Sequence, residues 1–279
     1  MNKNNLNIVF FGTPEFAISA LKILLDKKHN VSGVFAGHGQ VELVAKKCGI
    51  KVFNPTSLKK DENIFEEFKN LKPDICIVAA YGKVIPKKFL DIPQFGFLNI
   101  HPSLLPKYRG PSPIQTAILN GEKETGVTIM LVDEEVDHGP ILAKKTYRIL
   151  NSKNNIEMSE DLFELGAKLL VEILPKYING EIEPVEQDHS KATLTKMFSR
   201  DDGHINWGEG TKKTYNKIRA LNPEPGTWTT WKDKIINIKK VELHEDKIII
   251  KTIQMEGKKE MPFEDFLRGH SDFDISQFK

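Results

Sequence analysis

The chain has 279 residues, 39% of them hydrophobic, with 40 Lys and Arg against 38 Asp and Glu and a formal net charge of +2. That length supports a large and a small domain with their own cores, and the near balance of charge excludes a polycation, so any nucleic-acid contact has to come from a local patch. Cys48 and Cys76 share no CxxC spacing, which argues against a disulfide framework or a metal site. No apolar run approaches the roughly 18 residues of a membrane span, and "MNKNNLNIVFFG" reads as no signal peptide, so the expected setting is the cytoplasm.

In chain order, "NIVFFG" has the pattern of a buried strand. "TPEFAISALKILLDK" follows with Phe16, Ala20, Ile23 and Leu24 at helical spacing. Thr13 is expected to cap that helix and Pro14 to sit in its first turn. Then come a strand "VSGVFA", a helix "VELVAKKCG", a strand "KVFN", a helix around "ENIFEEFKNL" and a strand "DICIVAA". "FGFLNI" is the next strand, "IQTAILNG" the next helix, and "GVTIMLV" and "PILAKKTYRI" are two further strands. This rhythm predicts an α/β fold with a mostly parallel, Rossmann-like sheet covered on both faces. The longest helical pattern is "SEDLFELGAKLLVEILPKYING", with Ser159 at its start and Gly180 at its stop. Residues 1–182 are expected to form this domain. Residues 183–202 have little periodicity and read as a linker. Residues 203–279 read as a small β-rich domain, a barrel or sheet, holding one helix around "GTKKTYNKIRALN".

The stretch "NIHPSLLPKYRGPSP" carries the strongest chemical signal. Asn99 and His101 are two apart on a strand, so their side chains leave one face and Ile100 the other. Pro102 biases His101 toward an extended backbone. The pair stands at the carboxyl end of a strand, where open α/β sheets form ligand crevices. An amide and an imidazole there can polarise a carbonyl and hold a developing oxyanion. A histidine at a strand end also reads as a turn cap; the asparagine on the same face is what raises the chemical reading. In "LVDEEVDHGPIL", residues 131–142, Asp137 is of the right type to orient an imidazole, although an acidic loop also reads as a solvated turn.

"FFGTPEFA", "VAAYGKVIP", "NIHPSLLPKYRGPSPIQ", "GVTIML" and "DEEVDHGPIL" resemble, in order and spacing, the folate-dependent formyltransferases. "NIHPSLLPKY" and "GPIL" also resemble the glycinamide ribonucleotide transformylases. "YRGPSPIQTAILNGEKETGVTIM", the late "IRALNPEPGTWTTW" and "KKEMPFEDFLRG" are similar to the branch that formylates methionyl-tRNA. The resemblance implies Asn99, His101 and Asp137 as the catalytic set, with 10-formyltetrahydrofolate as donor and no metal. It implies a donor pocket between Tyr81, Gly82, Lys83, Val84 and Ile85 on one side and Val132, Asp133, Glu134, Glu135 and Val136 on the other. It also implies a small OB-like β-barrel at the C-terminus. Ser103, Arg109, Lys196, Lys212, Lys213 and Arg219 are the candidates for acceptor contacts, the charged ones through phosphates. The chain is expected to be monomeric and not membrane-bound.

One departure stands out. The methionyl-tRNA branch usually carries a long basic loop after the second strand, and here only "FAGHGQVELVAKK" is found. Three readings are therefore set side by side: formylation of initiator methionyl-tRNA, formylation of an amino-sugar nucleotide, and a folate- or RNA-binding protein without catalysis. The complete Asn99, His101 and Asp137 set argues against the third, and the C-terminal domain favours the first over the second.

Overall fold

Strand β1, Asn7–Gly12, is apolar along its length because it is central in a sheet buried on both faces. The computed structural model describes residues 6–275. After β1 come α1 (Ile18–Asp26), β2 (Asn30–Phe35), α2 (Gln40–Lys47), β3 (Val52–Phe53), α3 (Glu62–Asn70), β4 (Ile75–Ala79), α4 (Lys87–Leu90) and β5 (Phe97–His101). Next are α5 (Pro113–Leu119), β6 (Glu124–Leu131), β7 (Ile141–Arg148) and the long α6 (Asn155–Ile178). The seven strands form one sheet in the order β3-β2-β1-β4-β5-β6-β7, parallel through β5 and antiparallel at β6 and β7.

Two faces of this sheet position the site. On one face Phe11, Phe35, Phe68, Tyr81, Phe89 and Phe97 form an aromatic core, with Phe11 and Phe35 stacked at 4.5 Å. On the other, α6 closes on β5: a Cβ at Gly166 would stand 2.4 Å from Ile100 Cγ2, so glycine is what permits the approach. Phe97, Asn99 and His101 therefore share the aromatic-core face, and Ile100 points toward α6, as alternation requires.

Two local expectations are corrected. Thr13 does not cap α1, which is preceded by a short 3-10 turn at Glu15–Ala17 without a side-chain cap. Its hydroxyl instead accepts from the Gly37 N–H at 3.2 Å, tying the end of β1 to the loop after β2. The long helix starts at Asn155, not after Ser159. Asn154 accepts from the N–H groups of Ile156 and Glu157, while Glu157 accepts from the Asn154 N–H, a reciprocal cap that lengthens the helix by one turn. The C-terminal β-rich region, which the sequence reads as a barrel or sheet, is a four-stranded antiparallel sheet.

By compactness the chain divides into two units. The first runs to Pro111 and includes Glu124–Arg148 and Ser159–Leu194. The second takes in Ser112–Lys123, Ile149–Met158 and everything from Thr195. Residues 183–194 thus belong to the first unit, where Val185 and Ile141 exchange backbone hydrogen bonds of 2.8 and 2.9 Å. In the second unit α7 (Thr211–Leu221) packs against α5 and against a sheet of β8 (Thr227–Trp231), β9 (Lys234–His244), β10 (Lys247–Met255) and β11 (Met261–Pro262), in the order β11-β10-β9-β8. Helix α8 (Phe263–Gly269) adds Phe266 to a core of Ile218, Trp231, Ile236, Ile238 and Ile253.

Candidate active site

His101 is the last residue of β5 and is 4% exposed; Asn99 is half-buried beside it. His101 Nε2 lies 2.9 Å from the Tyr108 carbonyl oxygen. A carbonyl only accepts, so Nε2 carries a proton and Nδ1 is left facing the Asp137 carboxylate, 3.4 Å from Oδ1. The imidazolium form satisfies both neighbours at once. Asn99 Nδ2 donates to the same Oδ1 at 3.4 Å, and the Gly110 N–H donates to Oδ2 at 2.8 Å. The two 3.4 Å contacts are long beside the 2.8 Å bond from Gly110.

The loop between β6 and β7 brings Asp137 to this place. β5 and β6 run antiparallel, with Leu98 opposite Leu131, and the Val132 N–H donates to the Phe97 carbonyl at 2.8 Å. The loop thus leaves the sheet at the start of β5 and folds back to set a carboxylate against the strand's far end. Two unusual backbones permit the return. Asp137 has φ +49°, in the left-handed region, and a Cβ at Gly139 would stand 2.1 Å from the Leu131 carbonyl oxygen.

Of the two segments expected to hold the donor, residues 132–135 face α4 across a recess that none of residues 81–85 lines. Lys87 pairs with Asp91 at 3.1 Å and with Glu134 at 3.5 Å, which holds its ammonium above the ordinary lysine range. Lys87, Leu90 and Asp91 line one wall of a recess whose other wall is Val132, Asp133, Glu134 and Glu135. Of the earlier segment, Gly82 and Val84 are exposed, Lys83 donates to the Pro55 carbonyl at 2.5 Å, and Tyr81 and Ile85 are buried. The Tyr81 ring stands edge-on to Phe11 at 5.2 Å, its hydroxyl is buried without a hydrogen-bond partner, and burial pushes the phenol's pKa up. Val136 is 67% exposed. Sequence reasoning missed Lys87, Leu90 and Asp91, although their i, i+3, i+4 spacing just after "YGKVIP" is a readable helical face. It also missed Gly110 and Gln187, which carry no local signal.

Several candidates for acceptor contacts are corrected. Ser103 is fully buried and its hydroxyl donates to the Lys107 carbonyl at 2.7 Å, within its own loop. Arg109 is 6% exposed; its guanidinium donates to Gln187 Oε1 at 2.8 and 3.1 Å and to His189 Nδ1 at 2.8 Å. Arg219, also 6% exposed, donates to Asn216 Oδ1 at 3.0 Å and to the Lys153 and Leu150 carbonyls at 2.9 and 3.3 Å. Burial lowers its pKa. Side chains so committed do not reach out to a phosphate. Lys196 is exposed and paired with Asp202, whose carboxyl it holds below its ordinary range. Lys212 and Lys213 lie exposed in the first turn of α7. The connection between β2 and α2 is only residues 36–39. Among the described residues there is no cluster of three or more His, Cys, Asp or Glu suited to a metal, and no helix long and apolar enough to cross a membrane.

The Formyl transferase family model matches residues 6–174, and that for the Formyl transferase C-terminal domain matches residues 197–248. The methionyl-tRNA formyltransferase of Roseiflexus castenholzii is 36% identical over 302 aligned positions, covering 95% of this chain and 96% of that protein. That alignment is longer than the whole of this chain, so the relative carries insertions absent here. Among solved structures, a methionyl-tRNA formyltransferase from Clostridium thermocellum superposes with a TM-score of 0.67 at 20% identity, over 90% of this chain and 98% of that one. HypX from Aquifex aeolicus in complex with tetrahydrofolic acid gives a TM-score of 0.71 at 18% identity, over 94% of this chain and 47% of that longer one.

Proposed function

Because this chain belongs to the formyl transferase family, we infer that it transfers a formyl group from 10-formyltetrahydrofolate to the amino group of methionyl-initiator tRNA. The observation that carries the chemistry is the convergence of Asn99, His101 and Asp137 within 3.4 Å contacts at the carboxyl end of β5. Relatives named as methionyl-tRNA formyltransferases match nearly end to end, which favours tRNA over an amino-sugar nucleotide as acceptor.

The folate supplies the formyl group. The recess beside α4 suits a pterin's edge of N–H donors, because its walls offer the Glu134, Glu135 and Asp133 carboxylates and the loop's backbone carbonyls. In this reading Tyr81 and Ile85 shape the recess from the core, and Gly82 to Val84 meet the ligand through the backbone. Asn99 donates its amide N–H to the acyl oxygen as negative charge grows there. The His101 imidazolium is the second donor once an N–H turns from its protein partner toward that oxygen. Asp137, an acceptor for three donors, takes the proton that the attacking amine gives up, directly or through one water, and passes it to the folate nitrogen as the tetrahedral adduct collapses and the formyl carbon's bond to that nitrogen breaks. Lys196, Lys212 and Lys213 remain as the exposed cations for tRNA phosphates. Such an enzyme works where translation does, in the cytoplasm, as a monomer, which sedimentation tests.

The test is a formyl-transfer assay offering charged initiator tRNA and amino-sugar nucleotides side by side. Formylated tRNA alone is the expected result. Turnover of the sugar nucleotide alone overturns the acceptor, and inactivity on both overturns the catalytic reading.

A further inference from the structure

Gln187 lies in the extended segment after α6, 5% exposed although its neighbours Glu186 and Asp188 are open to solvent. A primary amide has two N–H donors and one carbonyl oxygen with two lone pairs. All four are engaged. Nε2 donates to the Asp137 carbonyl at 2.9 Å and to the Gly139 carbonyl at 2.8 Å. Oε1 accepts from Arg109 Nε at 3.1 Å and from Nη2 at 2.8 Å.

These partners are all parts of one clamp. Asp137 and Gly139 are the residues whose backbones make the return of the acidic loop possible. The left-handed conformation of Asp137 is strained for a residue with a Cβ, and it persists only where the surroundings hold it. Gln187 holds the main chain of this turn, while the next residue after Arg109 holds its side chain through the Gly110 N–H on Oδ2. The amide is itself anchored: the Arg109 N–H donates to the Thr193 carbonyl at 2.8 Å, so strand-like contacts on both sides of Gln187 fix the segment. Beyond it, Arg109 also reaches His189, whose ring stacks on His138 at 4.1 Å with planes 1° apart, and His138 meets Asp133 at 2.7 Å. An arginine only donates, so His189 Nδ1 accepts, which ties the segment after α6 to the loop a second time.

We propose that Gln187, held by Arg109, is a positioning residue for the reaction: it sets the turn that aims the Asp137 carboxylate at His101 and Asn99. The segment that reads as a linker in the sequence is thereby a working wall of the catalytic unit. The inference rests on the reading of Asp137 as a catalytic group.

Gln187→Glu tests it with the least change of shape. The carboxylate still accepts from Arg109 but has no N–H for the two carbonyls. It is expected to lower kcat about 10- to 100-fold, as a misplacement near 1 Å does, while KM for folate and for tRNA stays within about threefold. Gln187→Ala is expected to do the same, with the melting temperature showing that it folds. Asp137→Ala, run beside them, is the control for the underlying reading. If Asp137→Ala abolishes transfer while both Gln187 variants keep kcat within about twofold, the positioning role is overturned and the site stands. If Asp137→Ala remains active, it is the catalytic reading that fails. A rise in KM with unchanged kcat, or failure of both Gln187 variants to fold, would make Gln187 a binding or folding residue and overturn the proposal.

Discussion

The polar surroundings of Asp137 and the basic surface of α7 and its sheet are built on opposite plans. Around Asp137 the polar groups are matched: Gln187 and Arg109 are buried, Gly110 is half-buried, and all three spend hydrogen bonds on fixed partners. In the second unit Lys212, Lys213 and Lys251 stand out in solvent, Lys251 in a loose pair with Glu242 at 3.3 Å. Exposed pairs of that kind contribute roughly 0–1 kcal/mol and are screened by salt. The contrast teaches that a cation's role follows from burial and partner, not from its place in the sequence. Arg219 and Lys212 share one helix, yet one is a structural bolt and the other an open charge.

The sharpest test of the comparison lies at the catalytic end. His101→Ala and Asp137→Ala are each expected to cut kcat about 10²- to 10³-fold, the usual cost of losing an oxyanion donor or its partner, with little change in melting temperature. Near-normal turnover in a folded His101→Ala protein would remove the mechanism.

Next in size is Arg219→Ala. It strips charged hydrogen bonds from the Lys153 and Leu150 carbonyls, and a loss of stability of about 2–3 kcal/mol is expected in denaturant unfolding. A phosphate-binding arginine would behave differently: stability unchanged, and KM for tRNA raised in a salt-dependent way. That outcome would erase the distinction between the two kinds of cation.

A smaller effect is expected from reversing Lys212 and Lys213 to Glu together. KM for tRNA should rise several-fold at low salt. The slope of log affinity against log salt should flatten by about 1–2, since each lost phosphate contact releases fewer counterions. Stability and the folate KM should stay put; an unchanged salt slope would move the tRNA surface elsewhere.

The smallest effect concerns Tyr81. Removing its unpartnered hydroxyl in Tyr81→Phe should raise stability by about 1 kcal/mol at neutral pH and leave the folate KM alone. Burial raises the phenol above its ordinary value of 10.0, so the folded state resists the anion. Titration of this phenol therefore leaves stability unchanged below pH 10, and stability falls as pH rises from there toward the folded-state value. The Phe variant should lose that alkaline sensitivity. A raised folate KM in Tyr81→Phe would mean that the hydroxyl reads the ligand.

The strand and helix order, the mostly parallel sheet and the pairing of Asn99 with His101 on one face were legible in the sequence. Each rests on local periodicity: two residues apart on a strand means one face, whatever the rest of the chain does. Family motifs added Asp137, which no periodicity could attach to a strand 36 residues earlier. Capping was less legible, since Asn154 and Ser159 are both plausible caps, and the reciprocal bonds of Asn154 and Glu157 decide between them. What only the tertiary structure decided is where each long polar side chain ends. Gln187 stands in an aperiodic, charged stretch that composition assigns to solvent, yet it becomes the filled centre of a clamp because residues 109, 137 and 139 arrive there from other elements. Hydrogen-bond satisfaction is a property of the assembled surroundings, and a side chain with two donors and an acceptor carries no mark in the sequence of which partners will complete it.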